Sequence, residues 1–328
     1  MRIACFHLNQ IGDFAFSLPA LKSIRDSFPD SVITSVVRPS QREMMESTGL
    51  VDEIVCRSGG INLDKLRLAR YLASLKFDIA VVFSQSAECA VLSFLSRAPV
   101  RVGFINTSLG SLLTKQIDFK HPPSTQNNLH LVETIGGRIT QRDYVNLLKP
   151  TVTQIDRASK ILSDYGISQD DNIVTFSPGT SGRRSVKEWT DEGYAAVGRY
   201  LISRGLKVVI LGTEPAHGII NGCGDIIDLS GKTNLGEAVA ILDRSLTLVA
   251  VDSGVLHLCA ATGTRVVGLY GPSNHNITGP QGAGHIVVTS GADCSPCVRT
   301  QCSNGRKCML DITADEVISA IDKVIGNG

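Results

Sequence analysis

The chain has 328 residues, 43% hydrophobic and 19% charged, with 32 Lys and Arg against 31 Asp and Glu for a formal charge of +1. That apolar content excludes a largely disordered chain, and the length suits two domains of ordinary size. The even charge excludes a protein held on nucleic acid by its overall charge, so no nucleic-acid partner is expected. The opening stretch Met1 to Leu8 carries one Arg and is too short for a secretory signal, and no uncharged apolar run has the length of a membrane span. A soluble, cytoplasmic protein is expected. Nine cysteines in such a chain point to thiols or a metal rather than a disulfide framework.

In chain order, short β-branched runs alternate with longer amphipathic ones. Arg2–Leu8 and Ser31–Val37 read as strands, joined by a helix over Leu18–Phe28 that Pro19 opens. Strands come next at Val51–Cys56, Asp78–Phe83 and Val100–Phe104, with helices near Leu63–Leu75 and Ala87–Leu95. Polar Lys120–Asn128 reads as a loop and Leu129–Gly136 as a helix. From Thr151 the alternation restarts: helix Gln154–Tyr165, strand Asn172–Ser177, helix Thr190–Arg204, strands Leu206–Gly212 and Ile226–Leu229, and helix Leu235–Asp243. It continues with strand Leu246–Val251, helix Gly254–Thr262, strands Arg265–Tyr270 and His285–Thr289, and helix Thr313–Ile325. The expectation is an α/β protein of two doubly wound, Rossmann-like domains, 1–150 and 151–328, with a cleft between them. The terminal helix is free to pack back toward the first domain.

Open α/β sheets bind ligands beyond the carboxyl ends of their strands, which singles out three segments. After the first strand, Gly12 permits a tight turn, and Asp13 stands on it as a general base for a hydroxyl or as a local cap. After Phe176-Ser177, the loop Pro178-Gly179-Thr180-Ser181-Gly182-Arg183-Arg184-Ser185-Val186-Lys187 combines hydroxyls, glycines and three cations. It reads as a cradle for an anion, with Lys187 or an arginine neutralising a departing diphosphate, or as an ordinary solvated basic loop. The third segment runs from an apolar strand into Asp252-Ser253-Gly254 and a helix carrying His257. A diphosphate at that N-terminus meets the helix dipole and the amides of Ser253 and Gly254; Asp252 repels it unless it caps the helix or binds a hydroxyl. His257 reads as a participant or as a packed core residue.

Ser230-Gly231-Lys232-Thr233 ends like a phosphate-binding loop but has Ile226 where the first glycine is needed, and Gly222-Cys223-Gly224 lacks a third glycine at Ile227. Neither motif stands. Cys294, Cys297, Cys302 and Cys308 crowd one short stretch. Their spacing admits a structural zinc or iron centre, a redox dithiol, or reduced cysteines stiffening a loop.

Taken together, Ile11-Gly12-Asp13 with Ser17-Leu18-Pro19-Ala20-Leu21, Pro178-Gly179 with Lys187-Glu188-Trp189, Asp252-Ser253-Gly254 with His257-Leu258, and Tyr270-Gly271-Pro272 resemble the heptosyltransferases, glycosyltransferase family nine. The resemblance spans nearly the whole chain and includes the cysteine cluster. It implies a GT-B fold with two facing domains, an ADP-heptose donor on the C-terminal domain, and a lipopolysaccharide inner-core acceptor on the N-terminal domain. It further implies inverting catalysis without a metal or other cofactor, at the cytoplasmic face of the inner membrane. By position Asp13 matches the family's general base, Lys187 and Thr180 its diphosphate-binding pair, and Asp252, Ser253, Gly254 and His257 its donor loop; Gly12 and Ser181 join the binding set. Ser253 replaces a common Thr, and His7-Leu8-Asn9-Gln10 lacks the basic residues often found there, which implies a different acceptor phosphate pattern. Phe14 and Phe16 are candidate lipid contacts, or packed residues. Competing readings are a nucleotide-sugar epimerase or hydrolase, and a non-catalytic nucleotide-sugar-binding subunit.

Overall fold

The computed structural model describes residues 1–8, 10–57, 62–120, 124–180 and 185–326. They form two compact units, Met1–Leu147 and Leu148–Gly328.

The first unit runs β1 (Arg2–Phe6), α1 (Ile11–Ser27), β2 (Val32–Val37), α2 (Arg42–Glu46), β3 (Glu53–Cys56), α3 (Asn62–Ser74), β4 (Ile79–Val82), α4 (Ala87–Leu95), β5 (Val100–Phe104), β6 (Lys115–Ile117) and α5 (Ser124–Thr134). All six strands are parallel, in the order β3-β2-β1-β4-β5-β6. Helices cover the sheet, so its central strands are continuous apolar runs rather than alternating ones: Ile3, Ala4, Cys5 and Phe6 are all buried. Phe6 lies opposite Val36 on one side and Val82 on the other, and Leu68, Leu72 and Leu92 join that core from α3 and α4.

The second unit runs α6 (Val152–Asp164), β7 (Ile173–Ser177), α7 (Asp191–Ser203), β8 (Lys207–Ile210), α8 (His217–Gly222), β9 (Ile227–Asp228), α9 (Leu235–Arg244), β10 (Thr247–Val251), α10 (Gly254–Thr262), β11 (Val266–Leu269), α11 (His275–Thr278), β12 (Ile286–Val288), α12 (Lys307–Leu310) and α13 (Ala314–Gly326). Its parallel sheet has the order β12-β11-β10-β7-β8-β9, the same path as the first. Helix starts obey local chemistry. Thr151 with Gln154 and Asn234 with Glu237 form reciprocal capping boxes on α6 and α9, and Thr190 accepts from the Gly193 amide to cap α7. The terminal helix α13 packs Val317, Ala320, Ile321 and Val324 into the core of its own unit.

In each sheet the direction of winding reverses at one pair of strands, β1/β4 and β7/β10. The chain leaves those neighbouring carboxyl ends in opposite directions and opens a crevice there, which is where such sheets bind ligands.

Three expectations change. The first helix begins at Ile11, not Leu18, so Pro19 lies inside it, Gly12 is helical rather than a turn, and Asp13 is the third helical residue. An interior proline costs a helix about 3 kcal/mol; burial of Phe14, Ala15, Leu18, Ala20, Leu21 and Ile24 outweighs it. Phe14 and Phe16 are core residues, Phe14 edge-on to His7 and Phe16 against Tyr144, which removes them as lipid contacts. The polar segment 120–128 is helical from Ser124, because Asn127 exchanges two hydrogen bonds with the Lys120 backbone and Asn128 donates to the Phe16 carbonyl on α1. Among the described residues no helix is long and apolar enough to cross a membrane.

Candidate active site

At the β7/β10 reversal Ala250 is the register partner of Ser177, so the loops after the two strands start side by side. The first is described through Pro178, Gly179 and Thr180; Ser181, Arg183 and Arg184 lie outside the described residues. It re-enters as a short 3₁₀ turn, Ser185–Lys187. Trp189 anchors this turn from its far end: its indole N–H donates to the Ile312 carbonyl at 2.9 Å, and a Cβ on Gly193 would come within 2.4 Å of its ring. Glycine at 193 is what lets the indole lie close against α7.

Lys187 turns inward from this anchored turn. It is 9% exposed, and its Nζ donates to Asp252 Oδ2 at 2.5 Å. Asp252, the first residue after β10, is equally buried, and His257 Nε2 faces its other oxygen at 3.8 Å. Burial works against the Asp252 charge, but the contacts from His257, from the Lys187 ammonium and from the Ser273 hydroxyl outweigh it and hold the carboxyl well below the usual carboxylate range. Asp252 therefore neither caps the helix nor stands ready to repel an anion; its charge is matched by Lys187. His257 is a packed, buried residue, and it lies beside the acid.

The N-terminus of α10 remains open. Ser253 occupies the capping position with extended backbone, yet among the described residues its hydroxyl makes no capping bond and, though buried, finds no hydrogen-bond partner. The first amides of a helix have no intrahelical acceptor, so with no side-chain cap they face whatever lies beyond the strand ends. Gly254, half-buried, is the first helical residue.

The structure thus brings Lys187, Asp252 and His257 into contact, with Ser253 and Gly254 adjoining. Thr180 ends the described part of the neighbouring loop. Gly12 and Asp13 belong to the first unit, where Asp13 is exposed on the first turn of α1. His7, at the end of β1, is fully buried: it stacks on Phe83 at 4.6 Å, and its Nδ1 lies 3.0 Å from Ser17 Oγ. Burial pushes its pKa down to about 3, so it adds no charge to the loop between β1 and α1. Ser273 has only a faint signal in the sequence, its place directly after Tyr270-Gly271-Pro272. A depression of about 540 Å³ lined by Gln116, Asp118, Lys120, His130, Glu133 and Thr134 contains none of these groups.

Cys294, Cys297, Cys302 and Cys308 are free thiols, and no group of three or more His, Cys, Asp or Glu able to hold a metal occurs among the described residues. Cys302 Sγ accepts from the amides of Asn304 and Arg306, the Asn304 side chain donates to Cys294 Sγ, and Cys308 is buried under Gly271. The sulfurs of Cys294 and Cys302 thus accept hydrogen bonds from their own segment.

Residues 65–308 match the profile of glycosyltransferase family 9 (heptosyltransferase). The chain is 24% identical over 298 residues to lipopolysaccharide heptosyltransferase 2 of Salmonella typhimurium, covering 85% of each. Two solved structures share the fold: a family 9 glycosyl transferase from Veillonella parvula, with TM-score 0.86, 23% identity and coverage of 100% of this chain and 97% of that one, and the E. coli ADP-heptose lps heptosyltransferase II, with TM-score 0.82, 20% identity and coverage of 100% and 99%. The two parallel six-stranded sheets are those of the GT-B glycosyltransferases. With three-quarters of its length inside the profile, the chain belongs to glycosyltransferase family 9, the heptosyltransferases, and is a glycosyltransferase.

Proposed function

We propose that the enzyme transfers heptose from ADP-heptose to a saccharide of the lipopolysaccharide inner core, with inversion and without a metal. The observation that carries this reading is the uncapped N-terminus of α10 beside the Lys187–Asp252 pair, in a family whose relatives are named for that donor and acceptor. An ammonium has three N–H donors, and Asp252 takes one, leaving two for diphosphate oxygens. The Ser253 hydroxyl and the first amides of α10 supply further donors already oriented, so charge on the departing ADP is matched without solvent reorganisation. Asp252 keeps the lysine charged and aimed in a buried place where an unpaired ammonium is costly. Thr180 extends the cradle, and Ser181 is assigned to it by its place in the sequence motif. Asp13 takes the proton of the acceptor hydroxyl as the anomeric carbon gains oxocarbenium character.

The acceptor is lipid-linked in this reading, and the outer face of α3 suits contact with an anionic membrane. Leu66, Arg67, Arg70 and Tyr71 fall on one face by their spacing, with Leu66 47% and Tyr71 50% exposed, and Phe94 and Leu95 are exposed at the end of neighbouring α4. Work at the cytoplasmic face of the inner membrane belongs to the same reading.

Calorimetric titration with ADP-heptose and with UDP- and GDP-sugars, on the wild type and Lys187→Ala, tests the donor assignment. Preference for the ADP-sugar, weakened about tenfold or more by the loss of a charge-assisted contact, supports it. Equal affinity of wild type and variant refutes the lysine's role, and indifference to the nucleotide refutes the donor. Consumption of ADP-heptose with no acceptor present would favour an epimerase or hydrolase instead.

A further inference from the structure

The cysteine-bearing segment after β12 has no role in the chemistry above, yet it bonds the backbone on either side of Lys187 and the turn Gly271-Pro272 that precedes Ser273. Arg306, remote in sequence, donates from Nη1 to the Ser185 carbonyl at 2.9 Å and to the Glu188 carbonyl at 3.4 Å. Those carbonyls bracket Lys187 on its short turn. On the other side Ser295 Oγ donates to the Gly271 carbonyl at 2.5 Å, and the amides of Cys297 and Val298 donate to the Pro272 carbonyl at 3.1 and 2.7 Å. The next residue, the buried Ser273, adjoins Asp252 and helps hold its carboxyl charged. Gly271 leaves no room for a side chain, since a Cβ there would stand 2.5 Å from Met309 Sδ and 2.9 Å from Cys308 Sγ. One segment therefore grips the turn that carries the lysine and the turn that supports the acid.

The backbone of Arg306 is itself unusual. Its φ is 54°, in the left-handed region where a residue with a Cβ is strained, and Gly305 before it has φ 58°. The strain is held by the Cys302 sulfur, which accepts from the amides of Asn304 and Arg306 at 3.3 Å each. A glycine at 306 would fit this backbone without strain. An arginine there is accounted for by what its side chain reaches: one nitrogen with two N–H groups, directed at two carbonyls.

We propose that Arg306 is a positioning residue for Lys187, fixing the 185–188 turn so that the ammonium meets both Asp252 and the donor diphosphate. This rests on the reading of Lys187 as a diphosphate ligand. Arg306 touches no substrate; it acts through the turn, and the thiol cluster sets the backbone that aims it.

ADP binding by calorimetry on the full chain, with melting temperature measured in parallel, tests this on Arg306→Gly, Arg306→Lys, Lys187→Ala and the double variant. Arg306→Gly removes the guanidinium while relieving the strained φ, so it keeps its melting temperature within a few degrees yet loses about tenfold in ADP affinity, a coupling typical of groups in one network. Arg306→Lys, which restores a single donor group, falls between. In the Lys187→Ala background Arg306→Gly changes affinity less than about twofold, because distinct effects on one group do not add. Unchanged ADP affinity in Arg306→Gly, or the same loss with and without Lys187, overturns the inference while leaving the lysine's role standing. Wild-type ADP affinity in Lys187→Ala removes the premise itself.

Discussion

Asp13 stands third in α1, exposed, where the positive end of the helix dipole favours a carboxylate. As the proposed base it takes a proton only during transfer, so Asp13→Asn is expected to keep donor affinity and lose turnover by at least about a hundredfold, read as ADP released in the presence of acceptor. Retained turnover assigns the residue to the helix terminus alone. His7 is its opposite, a titratable group placed where it cannot titrate. Ser17 Oγ donates to the Phe14 carbonyl, so His7 Nδ1–H donates to Ser17, and Nε2 is buried with no partner among the described residues. Protonation would bury an unpaired N–H and a charge. The folded pKa, about 3, lies below the ordinary 6.5, so between these values the unfolded chain binds a proton that the native state refuses. Stability is complete above the upper value and falls as pH drops below it, at up to about 1.4 kcal/mol per pH unit. His285, also held down by burial, adds with the same sign. The melting temperature should fall from pH 6.5 toward pH 4, and less steeply in His7→Phe; an identical slope in that variant assigns the effect elsewhere.

Helices and loops differ in how openly the sequence declares them. Capping residues and apolar spacing place α4 and α10 to the residue, and α7, α9 and α13 within a residue or two. The start of α1 is misread from sequence because Pro19 is a start signal locally and tolerable inside a helix only when a buried face compensates. The start of α5 is hidden because asparagines that look like loop residues are satisfied by partners on α1 and at Lys120. α3 carries a prediction of its own: each surface Lys or Arg near an anionic bilayer contributes about 1 kcal/mol. Replacing Lys65, Arg67 and Arg70 together by Gln should lower binding to phosphatidylglycerol vesicles by about a hundredfold at low salt and leave ADP affinity intact. Equal sedimentation of both proteins with the vesicles removes α3 as the contact.

At the scale of the whole molecule, two units with the same strand order arise from segments with no evident sequence repeat. The sequence alone determined the class: alternating apolar runs demand a covered parallel sheet, because that pattern is local and the hydrophobic effect reads it locally, and glycine, hydroxyl and charge after β1, β7 and β10 mark the candidate site. Only the tertiary structure decided that Lys187 pairs with Asp252, that Arg306 reaches the carbonyls of Ser185 and Glu188, that His7 is neutral core, and that Cys308 lies under Gly271. Each of these depends on groups far apart in the chain meeting in a dry environment, where burial and pairing set protonation and orientation, and no spacing along the sequence carries that information.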